Sequence, residues 1–201
     1  MENLNSDEKR LLLKEYNHRI NNDLNALLAF IKLQRRFGID SEEIINSSCV
    51  LIASTSSIQN MMYKTDNDEN LIGAGESIKD FIRILNEYYS KFNVVFSNEM
   101  EDDFYIHPKK MFHLVFLINE MINLSIDFSF KESSQNKITF NLEKSGDDCS
   151  LIYSDNGTGI KETVSKSSPR TILFEQLVKQ IDGTLEFLDD DSVICIKFSL
   201  N

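Results

Sequence analysis

Cysteine is scarce in this chain of 201 residues. The three that occur, Cys49, Cys149 and Cys195, stand too far apart for a zinc-binding spacing, and an odd count suits a reduced interior better than a disulfide framework. All three are expected in or near the core. No stretch approaches the ~18 consecutive apolar residues of a membrane-spanning helix. The start, Met1-Glu2-Asn3-Leu4-Asn5-Ser6-Asp7-Glu8, has neither the basic nor the apolar region of a signal peptide. The expectation is a soluble, cytoplasmic protein that carries no membrane sensor of its own. Positive charge is short as well: 21 Lys and Arg against 32 Asp and Glu give a net charge of −11. That argues against nucleic acid or an anionic membrane as partner and turns attention to other proteins. There is no internal repeat and no low-complexity tract.

What is present is enough to fold: 41% hydrophobic content with 14 Phe supports one large domain or two small ones. From about Asp7 to Phe37, Leu13, Ile20, Leu24, Leu27 and Ile31 recur at the spacing of an amphipathic helix. His18 lies two steps from Ile20, about 160° round the helix, so it points away from that stripe. Asn22 and Asn25 share the outward face, a place where a partner can dock. Arg35, Arg36 and Gly38 predict the helix end, and Asp40-Ser41-Glu42-Glu43 predicts the N-cap of a second helix. Its stripe runs through Ile44, Leu51, Ile58 and Met62 to near Tyr63. Two such helices joined by a short turn predict an antiparallel hairpin, and pairing two hairpins into a four-helix bundle by homodimerisation would cover the apolar stripes.

The polar stretch Thr65 to Asn70, followed by Gly73 and Gly75, reads as a domain boundary, giving domains at 1–66 and 74–201. Beyond it, a helix from Glu76 to about Lys91 precedes short strands at Val94-Val95-Phe96 and Phe104-Tyr105-Ile106. Pro108 starts a helix that is apolar on most sides to Phe128. Lys137 to Leu142 alternates and pairs with Cys149 to Tyr153 across a polar turn. A loop from Asp155 to Ser168, a helix from Pro169 to Ile181, and strands Thr184–Leu188 and Val193–Leu200 finish an α/β sandwich with helices on one face of a mixed sheet. The fold class is α+β.

With both halves in view, the chain resembles the core of two-component histidine kinases, in the HWE-like subfamily whose phosphoacceptor box reads His-Arg-x-x-Asn-x-Leu. Here that box is His18-Arg19-Ile20-Asn21-Asn22-Asp23-Leu24. The resemblance implies a phosphorylated His18, with Arg19 and Asn22 in the catalytic set, Asn22 helping to position an aspartyl phosphate or a water. A neutral imidazole keeps a lone pair to attack phosphorus, and the phosphoramidate is labile enough to pass the group on. Ser154-Asp155-Asn156-Gly157-Thr158-Gly159-Ile160 looks like the family's first glycine box. By that resemblance Asp155, Gly157 and Gly159 belong to a vestigial nucleotide site in a Bergerat-type, kinase-ATPase-like domain.

Other positions depart from the family. Asn119-Glu120-Met121-Ile122-Asn123-Leu124 lines up with Asn-Glu-Leu-x-x-Asn, but the magnesium-binding Asn falls at Leu124, and an alkyl group cannot ligate magnesium. Downstream, Asp127 and Phe128 replace basic residues. No glycine occurs between Gly159 and Gly183, so the second glycine box is missing and Ser167-Ser168-Pro169-Arg170-Thr171 stands in its place. Arg170 reads as a solvated helix-start arginine or, less simply, a phosphate ligand. Glu120, His107 and His113 read as structural, and Asp189-Asp190-Asp191 as a solvated hairpin turn; no metal site is expected.

These features imply a histidine phosphotransferase that shuttles a phosphoryl group between receiver-domain aspartates through His18. It would need no cofactor of its own, with Mg2+ on the response-regulator receiver and ATP doubtful. A soluble ATP-dependent kinase core and a non-catalytic dimeric scaffold that docks a response regulator are the alternatives.

Overall fold

The computed structural model describes residues 6–64, 71–100, 102–130, 135–164, 169–188 and 193–200. By internal contacts the chain forms two compact units, Met1–Ile44 and Ile45–Asn201. The division falls inside the second helix, whereas the sequence places a domain boundary in the polar stretch after it.

Helix α1 spans Ser6–Arg36, with neither glycine nor proline to interrupt it. It ends in a Schellman motif: Gly38, at φ +75°, donates to the Arg35 carbonyl at 3.1 Å, and Ile39 donates to the Gln34 carbonyl at 3.2 Å. Helix α2, Ser41–Lys64, begins where Asp40 Oδ1 accepts the Glu42 N–H at 2.9 Å, with Glu42 and Glu43 favourably placed in the first turn. Both ends match the capping signals in the sequence. Apolar residues remain in water on each helix, Leu24 and Leu28 on α1 and Ile45 and Ile52 on α2, all about half exposed or more.

The larger unit continues through β1 (Ile72–Gly73), α3 (Ala74–Tyr88), β2 (Val94–Asn98), β3 (Tyr105–Ile106) and α4 (Pro108–Leu124), which runs on into a π turn over Ser125–Ser129. Then come β4 (Asn136–Ser145), β5 (Asp148–Asp155), the short α5 (Lys161–Val164), α6 (Pro169–Gln180), β6 (Thr184–Phe187) and β7 (Val193–Ser199). The main sheet has the order β2-β4-β5-β7-β6 and is mixed: β2 runs parallel to β4, and the other neighbours are antiparallel. The two short strands around residues 94–106 go to different places, since β3 pairs with β1 and not with this sheet. α5 falls in a stretch the sequence left as loop.

Alternation sets the core. Ile138, Phe140 and Leu142 of β4, Leu151 and Tyr153 of β5, and Ile194, Ile196 and Phe198 of β7 are buried, while Lys137, Glu143 and Lys197 between them are exposed. Met111, Leu114, Leu117, Ile118, Met121 and Leu124 of α4 are fully buried. Residues Pro108–Ser129 are long and apolar enough to cross a membrane, but 78% of that window is buried within the fold, so the segment is its core helix. The α+β architecture, two N-terminal helices followed by a mixed-sheet domain, agrees with the fold class read from the sequence.

Candidate functional site

His18 stands on the exposed surface of α1, as its helical phase predicts. One turn on, the Asn22 carboxamide nitrogen lies 3.1 Å from His18 Nδ1. Both side chains are exposed, as is Asn25, so the imidazole is open to a partner. The side chain of Arg19 lies outside the described residues.

The glycine turn at the end of β5 is closed, and its key is Ser129 at the end of the π turn. Asp155 is 7% exposed. Its Oδ2 accepts from the Ser125 hydroxyl at 2.7 Å, and its Oδ1 accepts from the Ser129 hydroxyl at 2.6 Å and from the Gly157 N–H at 2.8 Å. Ser129 Oγ in turn accepts the Gly159 N–H at 2.9 Å, and the Ser129 carbonyl accepts the Thr158 N–H at 2.9 Å. A Cβ on Gly157 would sit 2.3 Å from the Ser129 carbonyl oxygen, and Gly159 has φ +84°, so both positions require glycine. Tyr153 completes the cluster, its hydroxyl 2.8 Å from Ser125 Oγ; burial, with the charge of Asp155 adding to it, pushes the phenol well above its ordinary pKa.

Around α4, the aligned catalytic box turns inward. Glu120 is fully buried. Arg170, only 4% exposed at the start of α6, lies between Glu120 Oε2 at 3.3 Å and Asp127 Oδ2 at 3.2 Å. This corrects the reading of Arg170 as a solvated residue: the guanidinium is the internal counter-charge to the acidic box. Burial raises the Asp127 pKa, and Arg170 opposes that rise. Leu124 is fully buried. Asn119 and Asn123 point elsewhere: the Tyr89 hydroxyl donates to Asn123 Oδ1 at 2.7 Å and lies 3.1 Å from Asn119 Oδ1, and Asn119 Nδ2 donates to Ser47 Oγ at 2.6 Å. That network ties α2, α3 and α4 within the larger unit.

The remaining candidates are structural. His107 caps α4, its Nδ1 accepting the Lys109 N–H at 3.2 Å. His113 packs edge-on against Phe112, and burial followed by the charges of Lys109 and Lys110 lowers its pKa. Among the described residues no group of His, Cys, Asp and Glu is placed to hold a metal ion. Asp189, Asp190 and Asp191 lie outside the described residues. Sequence reasoning missed Ser125 and Ser129; their only signal is two hydroxyls one helical turn apart at the end of an apolar helix.

The fold and the His18 box together resemble those of histidine kinases. Residues 15–89 match the family HisKA_2, described as histidine kinase, a match that includes His18, Arg19 and Asn22. Over 188 residues, 90% of this chain, it is 21% identical to the sensor histidine kinase PdtaS of Mycobacterium tuberculosis. The chain spans 37% of the length of that relative. The histidine kinase domain of the blue-light activated histidine kinase EL346 of Erythrobacter litoralis shares the fold with a TM-score of 0.67 at 15% identity, covering 94% of this chain and 93% of that one. The histidine kinase AdeS of Acinetobacter baumannii matches more loosely, with a TM-score of 0.50 at 14% identity over 92% of this chain and 98% of that one. All of these relatives are named as kinases, so the comparisons favour the kinase alternative over a phosphotransferase.

Proposed function

We propose that the chain transfers phosphoryl groups through His18, receiving them from the aspartyl phosphate of a response-regulator receiver domain and passing them to another. The observation that carries this reading is the Arg170 ion pair with Glu120 and Asp127. A cation already neutralises the acidic box, and Leu124 stands where an oxygen ligand is needed. The residues present therefore do not fit a magnesium triphosphate, and the mechanism contains no step through one. Ser125 and Ser129 likewise take up both oxygens of Asp155, the carboxylate that would face an adenine.

In this scheme the receiver supplies the aspartate and the magnesium, and the transferase supplies a placed imidazole. Holding nucleophile and phosphoryl donor in register is the main catalytic contribution asked of it. The half-exposed Leu24, Leu28, Ile45 and Ile52 suit helix faces covered in a homodimeric four-helix bundle. The proposed setting is the cytoplasm, with receivers and a second copy of the chain as partners.

Incubation with a receiver charged by acetyl phosphate is expected to move label onto the chain and not onto the His18→Ala variant. Equal labelling of that variant would overturn the assignment. The second reading, an ATP-dependent kinase core, rests on the kinase names of the relatives and on the retained Asp155-x-Gly157-x-Gly159 turn. It predicts micromolar ATP binding and autophosphorylation of His18; the phosphotransfer reading predicts no binding at millimolar ATP with magnesium.

A further inference from the structure

We propose that Asn22 is the positioning residue of the phosphoacceptor: its carboxamide engages the Nδ1 edge of His18, so that Nε2 is the nitrogen presented for phosphoryl transfer. Residues four apart on a helix are neighbours, and here the two side chains meet at 3.1 Å, carboxamide nitrogen to Nδ1. Among the described residues the ring makes no other hydrogen bond. An imidazole held at one nitrogen has its tautomer decided there, because the partner at Nδ1 fixes which nitrogen bears the proton.

A carboxamide can hold Nδ1 in two senses. With Nδ2 donating, as in the structure, Nδ1 carries the lone pair and Nε2 carries the proton. Nε2 is then no nucleophile. Turning the amide by ~180° about its last torsion brings Oδ1 to accept a proton from Nδ1, which leaves the lone pair on Nε2. Both side chains are exposed, so the amide turns in water. The first sense is a resting state and the second is competent.

This inference rests on the phosphotransfer reading for the step itself. From the competent state, the Nε2 lone pair attacks the phosphorus of the receiver's aspartyl phosphate. The Nε2–P bond forms, the P–O bond to the aspartate breaks, and its electron pair leaves with the carboxylate. The proton stays on Nδ1, where Asn22 Oδ1 accepts it and stabilises the positive ring. Return transfer to a second aspartate reverses each of these changes. A role in touching the receiver or orienting water does not require this contact with Nδ1.

Two measurements on the full chain test the inference. Nitrogen-15 NMR of the unphosphorylated protein is expected to show widely separated Nδ1 and Nε2 shifts for His18 in the wild type, moving toward the free-imidazole average in Asn22→Ala. Identical spectra for the two proteins would overturn the inference whatever the transfer assay shows. In the second, a receiver charged with acetyl phosphate is the donor. Asn22→Ala is expected to slow labelling by about tenfold, the upper end for one hydrogen bond. Asn22→Asp, which can only accept from Nδ1, restores the rate, and the phosphohistidine carries its group on Nε2. Equal loss in Asn22→Asp and Asn22→Ala, or a group on Nδ1, would overturn it. If the wild type takes up no label at all, the phosphotransfer reading fails while the tautomer spectra still decide the role of Asn22 on the ring.

Discussion

The exposed face of α1 and the centre of the α/β domain differ in how their polar groups are satisfied. On α1, His18 and Asn22 lie in water with one hydrogen bond between them. In the α/β domain, Glu120, Arg170 and Asp155 are buried, each paired by neighbours from the same fold. Buried charges demand such partners, and a group so committed has little left to give a ligand. The contrast teaches that similar polar residues serve different ends by position: the exposed pair is left open to a partner, while the buried acids Glu120 and Asp127 are paired by the Arg170 side chain.

Substitutions at each end should break this contrast in different currencies. The largest effect is expected from His18→Ala, which removes the nucleophile and should abolish labelling from a phosphorylated receiver while leaving the melting curve unchanged, since the residue is exposed. Next, Arg170→Leu removes the guanidinium that pairs with buried Glu120. Breaking one side of a buried pair costs about 3–5 kcal/mol, and urea denaturation should read that loss. Unchanged stability in Arg170→Lys would show that charge suffices; a loss equal to that of Arg170→Leu would show that both arms of the guanidinium are needed.

Gly157→Ala forces a Cβ to 2.3 Å from a backbone oxygen. A loss of roughly 2–3 kcal/mol is expected, within the range for overpacking, with Ser129 displaced. An unchanged stability would mean that the glycine turn is open enough to admit a ligand. Removing the hydroxyl in Tyr89→Phe leaves the Asn119 and Asn123 carbonyls without their donor, for an expected cost of about 1–3 kcal/mol.

The smallest effect is chemical. Burial pushes the Cys149 thiol up to about 12. At pH 8 roughly one molecule in ten thousand then carries the thiolate, the reactive form. Maleimide should label half-buried Cys49 in the native protein and reach buried Cys149 and Cys195 only on unfolding. Fast native labelling of Cys149 would contradict the closed packing of β5.

Much of this architecture is legible in the sequence because its signals are local. The Gly38 cap, the Asp40 N-cap, the period of α1 around His18 and the alternation of β4 and β5 each depend on a few adjacent residues, and the structure follows them. Non-local pairings are not so encoded. Nothing near Tyr105 says that it faces Gly73 instead of joining the main sheet. Arg170 was misjudged for the same reason: its partners Glu120 and Asp127 lie fifty and forty-three positions away along the chain. At the site, an alkyl side chain at Leu124 is legible by its type alone, but the filling of the glycine turn by Ser129 depends on where a π turn ends.

The central claim is that His18 exchanges phosphoryl groups with aspartates and not with ATP. Its most direct test is a pair of labelling reactions on the same protein, one with a receiver charged by labelled acetyl phosphate and one with γ-labelled ATP and magnesium. The account predicts acid-labile label on His18 from the receiver and none from ATP, with both reactions blank in His18→Ala. Label reaching His18 from ATP in the absence of any receiver would contradict it.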